Sequence, residues 1–253
     1  MTPRVLALGL TASLALFAAG CGDDKKSDNG SSSSAKPIKT DVQPRTSKAN
    51  IVGGDAAIEE FAQRAANDAQ SYWDALFTKN NLTYAKPTTA VATQATDNGC
   101  GAQFDPAAKP FYLCETESGA TITLGGPTLD SIRNSNGDGA VVFLIGFATA
   151  LDANDQLSGR PTAKGTKPDD AFVSTAACFT GAWIRNLADR NILEAGDDAE
   201  VLDIAGKALG GSGDVSVPQG LVKQGYSKGA GACQSGASSS GDNGGEPAPS
   251  PGG

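Results

Sequence analysis

The chain has 253 residues, with 28 acidic against 20 basic side chains for a net charge of −8, and no histidine. That balance leaves no electrostatic footprint for nucleic acid, and the missing imidazole excludes any mechanism that needs a histidine base or ligand. The length between the two polar ends is enough for one folded domain.

The N-terminus reads as a targeting signal over residues 1–20. Arg4 supplies the positive start, and an apolar run of about 13 residues from Val5 to Phe17 follows. Such a run is too short to span a bilayer, which takes about 20 residues, so it fits a signal-peptide core. It ends in Ala18-Ala-Gly-Cys21, which resembles a bacterial lipobox. The resemblance implies cleavage before Cys21 and fatty acylation, such as palmitate, of its sulfur. The expected location is therefore extracytoplasmic, lipid-anchored to the cell membrane. Acyl chains would supply the attachment, each buried methylene contributing about 0.8 kcal/mol.

Residues 21–50 are rich in Ser, Lys, Asp and Pro. They carry too little apolar surface to fold and are expected to form a disordered tether. Residues 234–253 end in Pro-Ala-Pro-Ser-Pro-Gly-Gly and are expected to be a disordered tail. The folded domain is assigned to residues 51–233. Ile51-Val-Gly-Gly54 at its start resembles the mature start of trypsin-like proteases, but those enzymes need a histidine base and the chain has none.

Within the domain, residues 55–79 predict an amphipathic helix. Ile58, Phe61, Ala65, Ala69, Tyr72 and Leu76 recur at helical steps, with Trp73 and Phe77 widening the stripe. Asp55 is a candidate cap. Residues 83–95 read as extended. Pro110-Phe-Tyr-Leu-Cys114 and Ala120-Thr-Ile-Thr-Leu124 read as two strands joined by a turn. A helix is expected to begin near Leu129. Residues 139–153 are apolar nearly all round, the pattern of a buried helix. Residues 156–168 read as a loop. Residues 169–191 predict a helix capped by Asp169 or Asp170, and residues 197–209 another, ended by Gly210-Gly211. Residues 217–225 predict a short helical piece.

Apart from Cys21, the cysteines are Cys100, Cys114, Cys178 and Cys233. An even count in an exported chain implies disulfides. Three pairings exist, and Cys100–Cys114 with Cys178–Cys233 is favoured. The chain-entropy contributions expected are about 3 and about 4 kcal/mol. A four-cysteine zinc site is the rival, weakened by the absence of any Cys-x-x-Cys knuckle.

The order of these pieces is a Tyr-Trp helix, Cys-Gly, Phe-Tyr-x-Cys with a hairpin, an apolar helix, Cys178-Phe-Thr-Gly-Ala-Trp183, Gly-Asp-Asp with a helix, and Gly-Tyr before a last Cys. From about Ser71 to Cys233 it resembles the bacterial family of predicted neutral zinc metallopeptidases. The resemblance implies an α+β, mainly helical, zincin-like fold with a small β-hairpin. It also puts the family's His-Glu-x-x-His on the apolar helix, where residues four apart share a face and bind one ion. The two histidines would fall on Phe147 and Leu151 and the catalytic glutamate on Ala148. A glutamate and an aspartate of the following helix would fall on Val173 and Ala177. The His-Gly expected before the C-terminal segment is missing near Val217.

These replacements point to a pseudoenzyme with no cofactor and no bound metal, serving a binding or scaffolding role. A peptide, a cell-wall component or a protein partner is the expected ligand, beside the membrane itself. The alternative is a hydrolase built on a different acidic site, with Asp152 and Asp155 or Asp197 and Asp198 as candidates.

Overall fold

The computed structural model describes residues 36–39, 41, 56–116, 119–159, 169–210 and 216–235. Cys21, the signal segment, Asp55 and residues 236–253 lie outside the described residues. The order of elements is α1 (Ile58–Lys79), β1 (Thr88–Ala92), β2 (Thr96–Asp97), β3 (Gln103–Phe104), β4 (Phe111–Thr116), β5 (Gly119–Gly125), α2 (Gly126–Asn136), α3 (Asp138–Ser158), α4 (Asp170–Asp189), α5 (Asp197–Gly210), α6 (Ser216–Lys228) and α7 (Gly231–Ser235). The class is α+β and mainly helical, as expected from the sequence.

Helix α1 buries the whole predicted stripe, including Trp73 and Phe77. It stops where Asn80 turns back, its side-chain amide donating to the Leu76 carbonyl at 2.8 Å. Asn81 follows in the left-handed region at φ 58°, a conformation asparagine tolerates better than most residues.

The extended region after α1 contributes β1, which pairs in parallel with β5. Strands β4 and β5 form the predicted antiparallel hairpin. The sheet order is β1-β5-β4, so β5 is central, and its second half is buried. Strands β2 and β3 make a separate two-stranded ladder. Between them the buried Asn98 holds the turn, its Oδ1 accepting from the amides of Cys100 at 2.9 Å and Ala102 at 3.2 Å. The Cys100–Cys114 disulfide, with a Cα separation of 5.8 Å, ties this turn to β4.

Helix α3 is the centre of the molecule. It is long and apolar enough to cross a membrane, yet 89% of its most apolar window is buried inside the protein, the mark of a core helix. It packs against α1, α2, α4, α5 and the β4–β5 hairpin. It runs further than the sequence predicts: Gln156, assigned to the following loop, is helical, and Gly159 closes the helix at φ 60°. The left-handed glycine is an ordinary helix end.

Helix α4 is capped by Asp169, whose carboxylate accepts from the Phe172 amide at 2.7 Å. Close approach then depends on glycine. A Cβ on Gly181 would lie 2.0 Å from the Val222 carbonyl oxygen, and one on Gly225 would lie 1.7 Å from that of Cys178, so α4 and α6 touch backbone to backbone. The Cys178–Cys233 disulfide, at a Cα separation of 5.5 Å, then pins α7 to α4. Both disulfides are the favoured pairs.

Two assignments at the domain edges change. Residues 36–39 and 41, expected within the disordered tether, pack on the domain, and Ile38 joins its core. Gln234, expected in the tail, lies in α7. Each end carries one side chain able to make a specific contact, and the two ends meet.

Candidate functional site

The resemblance assigns its metal-site positions to the middle of α3 and the first half of α4. At the start of α3, Glu200 of α5 accepts from the Gly139 amide at 2.9 Å, satisfying one of the orphan donors of the helix N-terminus. Two turns on, a Cβ at Gly146 would lie 2.4 Å from the Trp183 ring, so glycine there lets α4 press onto α3.

Phe147 follows. Its ring stacks on Phe143 at a centroid distance of 5.9 Å and an interplanar angle of 13°. It meets Phe111 of β4 edge-on at 6.2 Å and 67°. Phe147 is 6% exposed, Leu151 8% and Ala148 fully buried. On α4, Ala177 is fully buried, and Val173 is partly buried and packed against the same core. Val217, near the missing His-Gly, is exposed at 59%.

Zinc is held by thiolate sulfur, imidazole nitrogen or carboxylate oxygen. Phe147, Ala148, Leu151, Val173 and Ala177 offer only hydrocarbon, so these side chains do not fit a zinc ion. Among the described residues no group of three or more His, Cys, Asp or Glu is gathered so as to hold a metal. The four domain cysteines are consumed in the two disulfides.

The acidic alternatives separate on inspection. Asp152 is only 2% exposed. Its Oδ2 accepts from the Tyr84 hydroxyl at 2.8 Å and from Gln156 Nε2 at 3.0 Å. Gln156 also exchanges two hydrogen bonds of 2.9 Å with the Ala85 backbone. Burial pushes the Asp152 carboxyl up to about 6; the Tyr84 and Gln156 hydrogen bonds oppose this, and the charge of Asp155 adds to it. The same burial holds the Tyr84 phenol well above its ordinary range, with Asp152 reinforcing it. The arrangement is a clasp between the segment after α1 and the C-terminal half of α3.

Asp197 is half-buried beside Phe61, Asp138, Val142 and Glu194. Its carboxylate accepts from the Glu194 amide at 2.8 Å, closing the turn that starts α5. Burial raises its pKa, and Glu200, Glu194 and Asp138 add to the rise. Asp198 is exposed.

The sequence reading missed one buried polar cluster. Asp68 of α1 takes the Arg190 guanidinium on both oxygens, at 2.7 and 2.8 Å, and the Trp183 indole N–H at 3.0 Å. It locks α1 to α4. Asp68 lies on the helix turn between two members of the apolar stripe, Ala65 and Ala69, and that placement was its one readable signal.

Comparison with known families decides the ancestry. The family model described as "Putative neutral zinc metallopeptidase" matches residues 6–247. The chain belongs to this family. No curated protein and no solved structure matches it. The family match covers more of the chain than the span from Ser71 to Cys233 on which the resemblance rested. This neutral zinc metallopeptidase family member thus combines the expected α+β scaffold with hydrocarbon at each position assigned to the metal site.

Proposed function

We propose that the chain is an exported lipoprotein, anchored through Cys21, whose metallopeptidase-like domain has given up catalysis for a binding or scaffolding role at the cell envelope. The observation that carries this reading is the side-chain set Phe147, Ala148 and Leu151 on a buried helix of a zinc peptidase scaffold. In a zinc peptidase the histidines hold the ion and the glutamate activates its water. A phenyl ring, a methyl and an isobutyl group do neither. Two disulfides suit an oxidising, extracytoplasmic compartment, and Ala18-Ala-Gly-Cys21 supplies the anchoring motif.

Two measurements test the two halves separately. Mass spectrometry of the N-terminal peptide from native membranes is expected to show acyl mass on Cys21, and Cys21→Ser is expected to abolish it and release the protein from the membrane. Elemental analysis of the tag-free domain is expected to find no stoichiometric zinc. One tightly held zinc per chain, lost together with a hydrolytic activity on chelation, overturns the non-catalytic half.

The rival hydrolase reading draws on Asp152, a buried acid whose raised pKa is a feature of functional sites. Its hydrogen bonds to Tyr84 and Gln156 are those of a structural clasp. A peptidase screen in which the wild type cleaves a substrate and Asp152→Asn does not would establish the rival.

A further inference from the structure

Residues 36–39 and 41 lie against the C-terminal ends of α1 and α3 and the α6–α7 turn. The Lys36 amide donates to the Leu157 carbonyl at 2.9 Å. The Lys36 carbonyl accepts from Gln234 Nε2 at 2.9 Å, and the other end of that amide, Oε1, accepts from the Ile38 N–H at 2.7 Å. The Lys39 amide donates to Asn80 Oδ1 at 2.8 Å, and the Asp41 carbonyl accepts from Lys79 Nζ at 2.8 Å. The Ile38 side chain is 7% exposed, whereas Lys36, Pro37 and Lys39 are exposed. Glycine clears the floor: a Cβ at Gly231 would lie 3.1 Å from the Ile38 carbonyl oxygen.

All of these hydrogen bonds go to the main chain of the segment, and one side chain is buried. Main-chain hydrogen bonds that hold, with a pocket that selects one side chain, are how a groove reads an extended peptide. We propose that this groove is an exchangeable peptide site. It holds residues 36–39 and 41 of its own chain in cis, and when that segment leaves it accepts another extended segment with an aliphatic residue in the place of Ile38.

The contacts of the segment are few enough for it to leave. One buried side chain and a few hydrogen bonds are set against the entropy of ordering the whole segment, which places it at the low-stability end of the structure. Its attachment to α1 through residues 42–55 gives it a high local concentration, so connection does part of the holding. Among the described residues the buried Tyr72 hydroxyl has no hydrogen-bond partner, and burial, then the charge of Asp41, push its pKa up.

The test uses the full-length oxidised chain with a site-specific protease sequence placed within residues 42–55, cut after folding. The probe is a fluorescent synthetic peptide of residues 34–43, followed by anisotropy. The uncut protein is expected to bind it weakly, because the groove is filled. Cutting is expected to raise the apparent affinity at least about tenfold, by removing the local-concentration advantage of the tethered segment. An Ile38→Asp peptide is expected to lose that gain, and Gln234→Ala in the cut protein to weaken the wild-type peptide about tenfold, the order expected for lost hydrogen bonds. The proposal falls if the cut protein binds the wild-type peptide no better than the Ile38→Asp peptide. It falls equally if cutting changes nothing, or if Gln234→Ala leaves the affinity unaltered.

Discussion

On α3, Leu151 and Asp152 are neighbours in sequence and nearly equally hidden, at 8% and 2% exposure, yet they solve burial in opposite ways. Leu151 and Phe147 are hydrocarbon packed into the core, with Phe147 against the rings of Phe143 and Phe111. They need shape and nothing else. Asp152 needs partners, and Tyr84 and Gln156 supply them. The contrast shows what hydrocarbon and a carboxylate each demand of a buried helix. The apolar positions add to the core and make no demand on the rest of the chain. The buried acid of the helix ties the segment after α1 to it through Tyr84 and needs Gln156 of its own helix as well, because a buried carboxylate without hydrogen bonds is costly.

The contrast breaks first if the apolar positions are not core. Phe147→Ala is expected to cost about 3–5 kcal/mol and Leu151→Ala about 2–5 kcal/mol, the transfer and cavity cost of large-to-small core changes. Denaturant melts measure both. Unchanged stability in the two variants would mean that neither side chain is packed. Phe147→His together with Leu151→His is expected to destabilise as well, since imidazoles would be buried without ligand or partner. Adding Ala148→Glu and Val173→Glu supplies the two glutamates that the resemblance assigns there, and zinc is then expected to recover stability by binding only the folded state.

Next in size is an internal control. Replacing Cys178 and Cys233 by serine is expected to cost about 4 kcal/mol, from the loop entropy returned to the unfolded chain. It acts at α4 and α7, which supply neither the Tyr84 nor the Gln156 hydrogen bond to Asp152. The melting midpoint should therefore fall while the pH profile keeps its shape. A changed profile would show that the clasp depends on the α4–α7 staple.

Much of this architecture was legible because periodicity is a local signal. The α1 stripe, the all-round apolar α3, the β4–β5 hairpin and the Asp169 cap could all be read from neighbouring residues. The even cysteine count, its spacing and the expected export signal led to the two disulfides. What could not be read is contact between distant segments. Asp152 was visible as an acid, but its partner Tyr84 lies 68 residues away. Asp68 and Arg190 are 122 apart. Ile38 sat in a polar stretch whose composition argued for disorder, and its partner Gln234 lies 196 residues on. One aliphatic residue does not change a composition, but it can fill a pocket.

The polar half of the comparison has its own pH signature. The folded Asp152 carboxyl titrates at about 6 against an ordinary value of 3.8, so the fold favours its neutral form. The stabilisation is fully present below about pH 4 and is lost as pH rises through about 6, a span of about 3 kcal/mol at 1.36 kcal/mol per unit. Asp197, also raised by burial, adds a slope of the same sign. Asp152→Asn is therefore expected to flatten the stability profile between pH 4 and about 6 without abolishing its slope. Urea melts across that range check it, and an unchanged slope would place Asp152 in a wetter environment than its burial implies.

The smallest effect probes the clasp itself. Tyr84→Phe keeps the ring, which packs against Phe77 at a centroid distance of 5.0 Å, and removes the hydroxyl that donates to Asp152. At neutral pH the expected cost is about 1.5–3 kcal/mol, the range for losing a hydrogen bond to a charged group. Below about pH 4 the carboxyl is neutral in both states and the cost should shrink toward about 0.5–1.5 kcal/mol, the range for an uncharged pair. The hydroxyl holds the Asp152 pKa down, so the variant should also titrate higher than the wild type: its stability loss still begins near the ordinary value of 3.8 but extends to higher pH. A loss equal at both pH values would mean that the ring packing had been disturbed and the hydrogen bond contributed nothing. Tyr84→Phe in the Asp152→Asn background separates the two, because only a contribution from the hydrogen bond changes when its acceptor is altered.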